Sequence, residues 1–548
     1  MDISVFLMVF VLFCILFLVG VLLSFMNVSF FLVEWDFMAL KFSVYYNSVM
    51  FSLVLLLVTL SVLVFSTYYL NGELNFNYYY FMLLIFVGSM FSLIFSNGSF
   101  SMLVSWDLLG ISSFFLVLFY NNWDSCSGAM NTVLTNRLGD FFLFIFFAGT
   151  VFSGYYFLSL SLFFWLSSLM LLLASFTKSA QFPFSGWLPK AMSAPTPISS
   201  LVHSSTLVTA GLVLVMNFTE MVFNKDVIAI VLVVGIFTML FSSVAALVEE
   251  DLKKVVALST LSQMGFSMLT VGIGLSFVSF VHLLSHALFK SCLFMQVGYL
   301  IHCSLGQQDG RNYNNLGNVP GFIQLQLLVT LFCLCGLIFT SGAVSKDYIL
   351  EFFFSNFFLS FFACMFFFSV FLTFGYSYRL WKGFFMSFSG PIFHFSSGVV
   401  MNFLSLLLVL FSVFFVWWMN FNMLCMPSLF LYVDFFVPLF FFVMILVVGF
   451  FCVKFLLKEF VYKFLVDFLA KGWIYGLKNY KFLDLFLMGV NSMGVTFFSF
   501  SGFWSNGYMK SLYFNSSIVI ILVMFFFLVW GCILSLKYAF CSRKILAL

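Results

Sequence analysis

The chain has 548 residues, of which 64% are hydrophobic and 7% charged. Soluble domains carry roughly 25% charged residues, so a water-soluble globular fold is excluded and the bilayer is the solvent. The net charge of +3 gives no footprint for nucleic acid, and the 11 scattered cysteines match no zinc, iron–sulfur or haem spacing.

Hydropathy predicts about 15 spanning helices of about 20 residues each. In chain order they lie near 3–25, 49–71, 77–97, 99–121, 129–152, 155–182, 196–217, 226–248, 255–275, 277–304, 322–351, 356–380, 400–420, 432–456 and 517–537. The first lacks a basic leader and a small-residue cleavage site, so it reads as a retained span. Segment 28–47 alternates and is too polar to span, which predicts a surface β-hairpin. A membrane β-barrel is excluded because the apolar runs are about twice the length of a barrel strand. Gly272 and Gly274 lack the third glycine of a dinucleotide fingerprint, so no redox chemistry is expected on this chain.

Basic residues set the orientation. With the N-terminus inside, Lys190, Lys253, Lys254, Arg311, Arg379 and Lys382 fall in inner loops, as the positive-inside rule requires. Between 454 and 510, Lys454 and Lys458, then Lys463, Asp467 and Lys471, recur four residues apart among Phe, Leu and Val. One charged stripe on an apolar helix predicts a helix lying along the membrane surface. The expected class is an all-α polytopic membrane protein with broken helices, a long amphipathic lateral helix and a C-terminal anchoring helix. Its expected parts are N-terminal helices with the hairpin (1–98), a translocation core (99–380), further spanning helices (381–453), the lateral helix (454–510) and the anchor (511–548).

Charges within the spans carry the functional signal. A lysine or aspartate at mid-bilayer costs at least ~2.5–3.5 kcal/mol on insertion scales. This chain places Asp107, Arg137, Asp140, Lys178, His203, His282, His286, Lys290, Lys346 and Asp347 in or beside apolar runs. His282, His286 and Lys290 are four apart and form one stripe on one helix face. For a single histidine, polar glue between helices is the better reading. Three titratable groups in a stripe, with others on further spans, favour a proton path. Lysine suits that work because desolvation and a nearby carboxylate act on its proton affinity in opposite senses. Histidine exchanges protons near neutral pH with little tuning. A static Asp107–Lys178 ion pair is the alternative. Pro183 follows Lys178 closely and predicts a break within that span, whereas Pro189, Pro195 and Pro197 read as the turn between two spans. Gly336 and Gly342 are a weaker break signal before Lys346.

The stretches "LVSWDLLGISSFFLVLFY", "NRLGD", "KSAQFPFSGWLPKAMSAPTPISSLVHSSTLVTAG", "EEDLKKVVALSTLSQMGFSM", "HLLSHALFKSCLF" and "SKDYILE" run in order from about 100 to 351. They resemble the subunit 5 family of mitochondrial NADH dehydrogenase, among the antiporter-like subunits of respiratory complex I. The resemblance implies a proton-translocating subunit of the membrane arm in the mitochondrial inner membrane. NADH, FMN, iron–sulfur clusters and ubiquinone are then expected on other subunits, with no cofactor and no metal on this one. The implied partners are the other membrane-arm subunits, above all the adjacent antiporter-like ones along the lateral helix, with accessory subunits and membrane lipids. By motif match, Asp107 stands where the family has the carboxylate that pairs with the key lysine, and Lys178 stands for that lysine. His203, His286 and Lys290 match a central relay. Lys346 matches the last lysine near the outward exit, with Asp347 beside it. Asp140 matches an inlet-side carboxylate, with Arg137 beside it.

The chain departs from the family pattern in three places. Asp107 is one methylene shorter than the usual glutamate, the usual proline before "SKD" is missing, and the N-terminus is one span shorter. A subunit of a multisubunit monovalent cation/proton antiporter is the alternative function. A structural scaffold without transport is a third reading.

Overall fold

Most of the apolar runs fold into helices near the expected bounds, the clearest exception being the run expected at 322–351, whose helix ends at Cys335. α1 spans Tyr46–Tyr69, α2 Phe76–Phe95, α3 Ser99–Val117, α4 Trp123–Phe152 and α5 Trp165–Lys178. α6 spans Thr196–Asn217. α7 spans Lys225–Val248, α8 Leu252–Ile273, α9 Ser276–Cys303, α10 Gly321–Cys335 and α11 Ser360–Phe385. This computed structural model describes residues 9–15, 28–33, 40–152, 165–218, 225–313, 321–336, 340–342, 345–346, 349, 360–385, 406 and 408–413. Among them, eight helices are long and apolar enough to cross a membrane, so the chain has the expected all-α polytopic class. The expected spans at 432–456 and 517–537, and the lateral helix at 454–510, lie outside the described residues.

The expected hairpin is present. β1 (Val28–Val33) pairs antiparallel with β2 (Leu40–Val44), with Val28 opposite Val44 and a register shift between Phe31 and Val33. The chain divides into two units, residues 1–346 with 369–426, and residues 347–368 with 427–548. In the second unit the described residues are Ile349 and 360–368.

In lipid the tails compete with apolar side chains, so helices associate through small residues that allow close approach. α7 and α8 do this at Gly235 and Gly265. A Cβ on Gly265 would lie 2.7 Å from the Met239 nitrogen, and one on Gly235 would lie 2.8 Å from the Leu269 nitrogen. Arg379 of α11 ties to the far end of α7 by donating to the carbonyls of Ala246, Leu247 and Glu249. Carbonyls at a helix C-terminus have no intrahelical partner, and a cation satisfies both their lone pairs and the dipole. α9 packs against α8, α1, α10 and the first half of α6. That central position leaves nearly every α9 residue buried, including His282, His286 and Lys290.

Two helices end early at their C-terminal ends, α5 at Lys178 and α10 at Cys335, where the hydropathy predicts spans reaching 182 and 351. α5 ends at Lys178, five residues before Pro183, so the proline does not itself break the helix. The end is closed by Ala180 in the left-handed region (φ +53), with the Gln181 N–H donating back to the Phe176 carbonyl at 3.0 Å. That is the wrap of a helix C-cap, with alanine where glycine is usual. The indole N–H of Trp187 satisfies the Thr177 carbonyl at 3.0 Å. α10 ends at Gly336 (φ +76), whose N–H donates to the Phe332 carbonyl at 3.0 Å. The second break thus forms without the family's proline, because glycine alone supplies the left-handed turn.

Pro195 and Pro197 have a different role from a plain turn. Pro195 precedes α6 as its N-cap and Pro197 sits in its first turn. There a missing N–H costs nothing, because no intrahelical acceptor would receive it. Directly after them, Ser199–Thr206 winds as a π-helix. π-Helical segments are rare and concentrate at functional sites. This one contains His203.

Candidate functional site

Lys178 is wholly buried at the C-terminal end of α5. Its ammonium donates to the Trp106 carbonyl of α3 at 3.2 Å and lies 4.8 Å from the centroid of the Trp106 indole. The site is crowded by design of small residues. A Cβ on Gly139 of α4 would lie 2.1 Å from the Thr177 hydroxyl, and one on Gly211 of α6 would lie 2.4 Å from the Ser175 carbonyl. The helix end that carries Lys178 is therefore held by two neighbours at backbone distance.

The Asp107 carboxylate, one residue after Trp106, turns away to Arg137. Arg137 Nη1 donates to Asp107 Oδ1 at 2.9 Å and to Asp140 Oδ2 at 3.1 Å. The structure thus gives Asp107 an ion pair with Arg137, where the sequence reading put a pair with Lys178. The shorter aspartate explains the difference in part, since it lacks the methylene with which a glutamate would extend. Asp107 and Arg137 are 40% and 50% exposed on this chain, while Asp140 is 9% exposed. Exposed Leu108, Ile111, Leu134 and Phe141 surround them.

From Lys178 the buried polar groups continue through α6 to α9. His203 is 1% exposed, stands edge-on to Trp187 with ring centroids 6.1 Å apart, and has no partner for either ring nitrogen. On α9, Lys290 donates to the Ser259 hydroxyl of α8 at 2.6 Å. His286 has no partner for either nitrogen, and its ring centroid is 6.3 Å from that of His282. His282 Nδ1 is 2.9 Å from Ser345 Oγ, next to Lys346 in sequence. Lys346 donates to the carbonyls of Leu334 and Cys335 at 2.8 and 3.0 Å, so it caps the broken end of α10. Asp347 lies outside the described residues.

The arrangement brings Lys178, His203, His286, Lys290 and Lys346 into the buried middle of one unit, and groups Asp107, Arg137 and Asp140 at one edge of it. Buried polar groups are normally paired, so ring nitrogens left unpaired in this number single out the α6–α9 region. Imidazoles spaced along a helix face can take and release a proton in turn, and a lysine held at a helix break can change partners if the break moves. Sequence reasoning missed four contributors: the Trp106 carbonyl and ring, Ser259, Ser345 and the π-helix. The dense serine of "PISSLVHSST" was the available signal for the last, since serine and threonine hydroxyls that bond back to the preceding turn distort helices.

The loops before α8 and after α9 are joined by ion pairs. Arg311 pairs with Glu250 at 2.9 Å and Asp309 at 2.7 Å. The Arg311 hydrogen bonds hold the Asp309 carboxyl below the usual carboxylate range. The Asp251 and Asp309 backbones meet as an isolated antiparallel bridge, which ties the start of α8 to the loop after α9.

Comparison with known proteins agrees with this geometry. The family model for the transmembrane part of "NADH:quinone oxidoreductase/Mrp antiporter" matches residues 96–373, just over half the chain. NADH-ubiquinone oxidoreductase chain 5 of Ascaris suum is 86% identical over 548 residues, all of both chains. The chain 5 of Caenorhabditis elegans is 69% identical over 528 residues, 96% of this chain and 99% of that one. Among solved structures, the Mrp complex from a Dietzia species aligns at TM-score 0.61 and 23% identity, covering 80% of this chain and 56% of that chain. The archaeal membrane-bound sulfane sulfur reductase aligns at TM-score 0.67 and 19% identity, covering 76% of this chain and 89% of that chain. At these identities the two structures speak to the fold.

Proposed function

Because the chain belongs to the family of NADH-ubiquinone oxidoreductase chain 5, we propose that it is a proton-translocating membrane-arm subunit of NADH:ubiquinone oxidoreductase. Electron transfer in other subunits drives protons through it, and it does no redox chemistry itself. NADH, FMN, iron–sulfur clusters and ubiquinone sit on those other subunits, and the assembly lies in the mitochondrial inner membrane. The observation that carries this reading is the buried run of Lys178, His203, His286, Lys290 and Lys346, each 5% exposed or less, across the two helix breaks.

In this reading Lys178 is the switched charge. Asp140 is the inlet-side carboxylate, and Asp107 is held by Arg137 until α3 or α4 moves. His203, His286 and Lys290 relay the proton. Lys346, with Asp347 beside it, releases it outward. His282, hydrogen bonded at Ser345, joins the relay to Lys346. Motion at the α5 and α10 breaks changes which carbonyls the lysines meet.

The partners are other membrane-arm subunits, the adjacent antiporter-like subunits first among them. The half-exposed Asp107–Arg137 pair supports this. Lipid cannot solvate charges at membrane depth, so protein must cover that face. The test is NADH-driven proton uptake by the purified complex in sealed vesicles, with and without sodium. Uptake that needs NADH oxidation and ignores sodium is expected. Sodium-dependent proton exchange without NADH oxidation would favour the antiporter alternative.

A further inference from the structure

Asn136 of α4 is a buried group that the relay above does not use. It is 3% exposed, and neither its amide oxygen nor its amide nitrogen has a hydrogen-bond partner. An unpaired buried amide costs about 1–3 kcal/mol, so a chain that keeps one is expected to use it. Its position is informative. A Cβ built on Gly110 of α3 meets the Lys178 Nζ at 3.4 Å and the Asn136 Nδ2 at 3.9 Å. Lysine, asparagine and glycine therefore converge on one small space between three helices. Gly110 leaves that space open.

The donor count points the same way. The Lys178 ammonium has three donors, and one of them meets the Trp106 carbonyl. The Trp106 ring takes a share of the charge but accepts no conventional hydrogen bond. An asparagine amide can present its oxygen or its nitrogen to this space by a half-turn of the side chain, and the two orientations look alike in shape. With the oxygen turned inward, Asn136 accepts from the ammonium. With the nitrogen turned inward, it does not.

We propose that Asn136 is a positioning residue for Lys178: its amide oxygen receives the ammonium within the Gly110 gap and holds the lysine at α3 and α4 in its charged form. The other charged groups facing this space are Asp107 on α3 and Arg137 and Asp140 on α4, which pair with one another. His203 follows on α6. Asn136 is thus the uncharged acceptor beside a lysine whose nearest carboxylates are already engaged. The inference rests on the proton-carrying role of Lys178 given above.

The test compares Asn136→Leu, Asn136→Asp and Lys178→Met in the assembled enzyme, reading complex content, NADH oxidation and proton uptake in vesicles. Asn136→Leu keeps the volume and removes the acceptor. A purely structural amide predicts that this change is neutral or stabilising, since it removes an unpaired polar group. The proposal predicts wild-type complex content with proton uptake lowered about ten-fold to 150-fold, the range a lost hydrogen bond to a charged group carries. Asn136→Asp restores an acceptor of the same reach and recovers most of that loss. Wild-type uptake in Asn136→Leu overturns the proposal, as does equal loss in the Leu and Asp variants. If Lys178→Met also pumps normally, it is the role of Lys178 that fails. If only Lys178→Met fails to pump, that role stands and the role of Asn136 falls.

Discussion

Alanine at Gly336 should damage this protein more than alanine at Gly306, although both glycines have left-handed backbones (φ +76 and +85). An L-residue in that conformation costs about 1–2 kcal/mol at either site. At Gly306 nothing lies within 4 Å of the new Cβ. At Gly336 the Cβ would sit 2.7 Å from the Lys346 Cδ and 3.2 Å from the Gly342 carbonyl oxygen. Lys346 has little freedom to withdraw, because its ammonium is bound to the Leu334 and Cys335 carbonyls at 2.8 and 3.0 Å. Overpacking of this kind adds about 1–3 kcal/mol. Gly336→Ala is therefore expected to cost about 2–5 kcal/mol and to move Lys346 off the end of α10. Complex content and NADH-driven proton uptake, measured side by side for the two variants, check this. Gly306→Ala keeps most of both, and Gly336→Ala loses uptake beyond any loss of content. Equal behaviour of the two variants would refute the claim that Lys346 is wedged against the break.

Three further outcomes follow from the contacts. Gly265→Ala forces a Cβ to within 2.7 Å of the α7 backbone, so it should lower the thermal stability of the assembled enzyme by about 1–3 kcal/mol. Arg137→Gln unpairs Asp107 and Asp140. In water such a half-exposed pair is worth about 0–1 kcal/mol, whereas breaking a covered pair costs about 3–5 kcal/mol, so a sharp drop in assembled complex is expected. Normal assembly of that variant would mean that no protein covers the face. The Asp309 carboxyl is held below its ordinary range by Arg311, so its contribution is present above the unfolded carboxylate pKa of about 3.9 and is lost as pH falls through the folded value. Hydrogen exchange of the loop amides should rise on acidification below about pH 4, and in Arg311→Gln the rise should begin at higher pH.

Much of the fold was legible because a bilayer punishes exposed backbone, so long apolar runs had to be helices. The hydropathy bounds of α1, α2, α6 and α9 fall within three residues of the observed ones. The helix breaks were harder. Proline was the visible mark, yet α5 ends at Lys178 through a left-handed alanine, which no composition rule favours. The π-helix at Ser199–Thr206 was hard to see because, His203 apart, its residues are apolar or hydroxylic and fit an α-helical pattern, and only the density of serine marks it. Charged side chains announced themselves individually, since any of them in lipid demands an explanation. Their pairing did not. Asp107 stands within reach of either cation by sequence, and only the placement of α4 against α3 gave it to Arg137. Asn136 carried no charge and so drew no notice beside Arg137.

The central claim is that protons pass through the buried groups of this chain, with Lys178 as the switched charge. The most direct measurement is the number of protons moved per NADH oxidised by a fully assembled Lys178→Met enzyme in sealed vesicles. The account predicts a lower ratio at wild-type complex content. An unchanged ratio would contradict it.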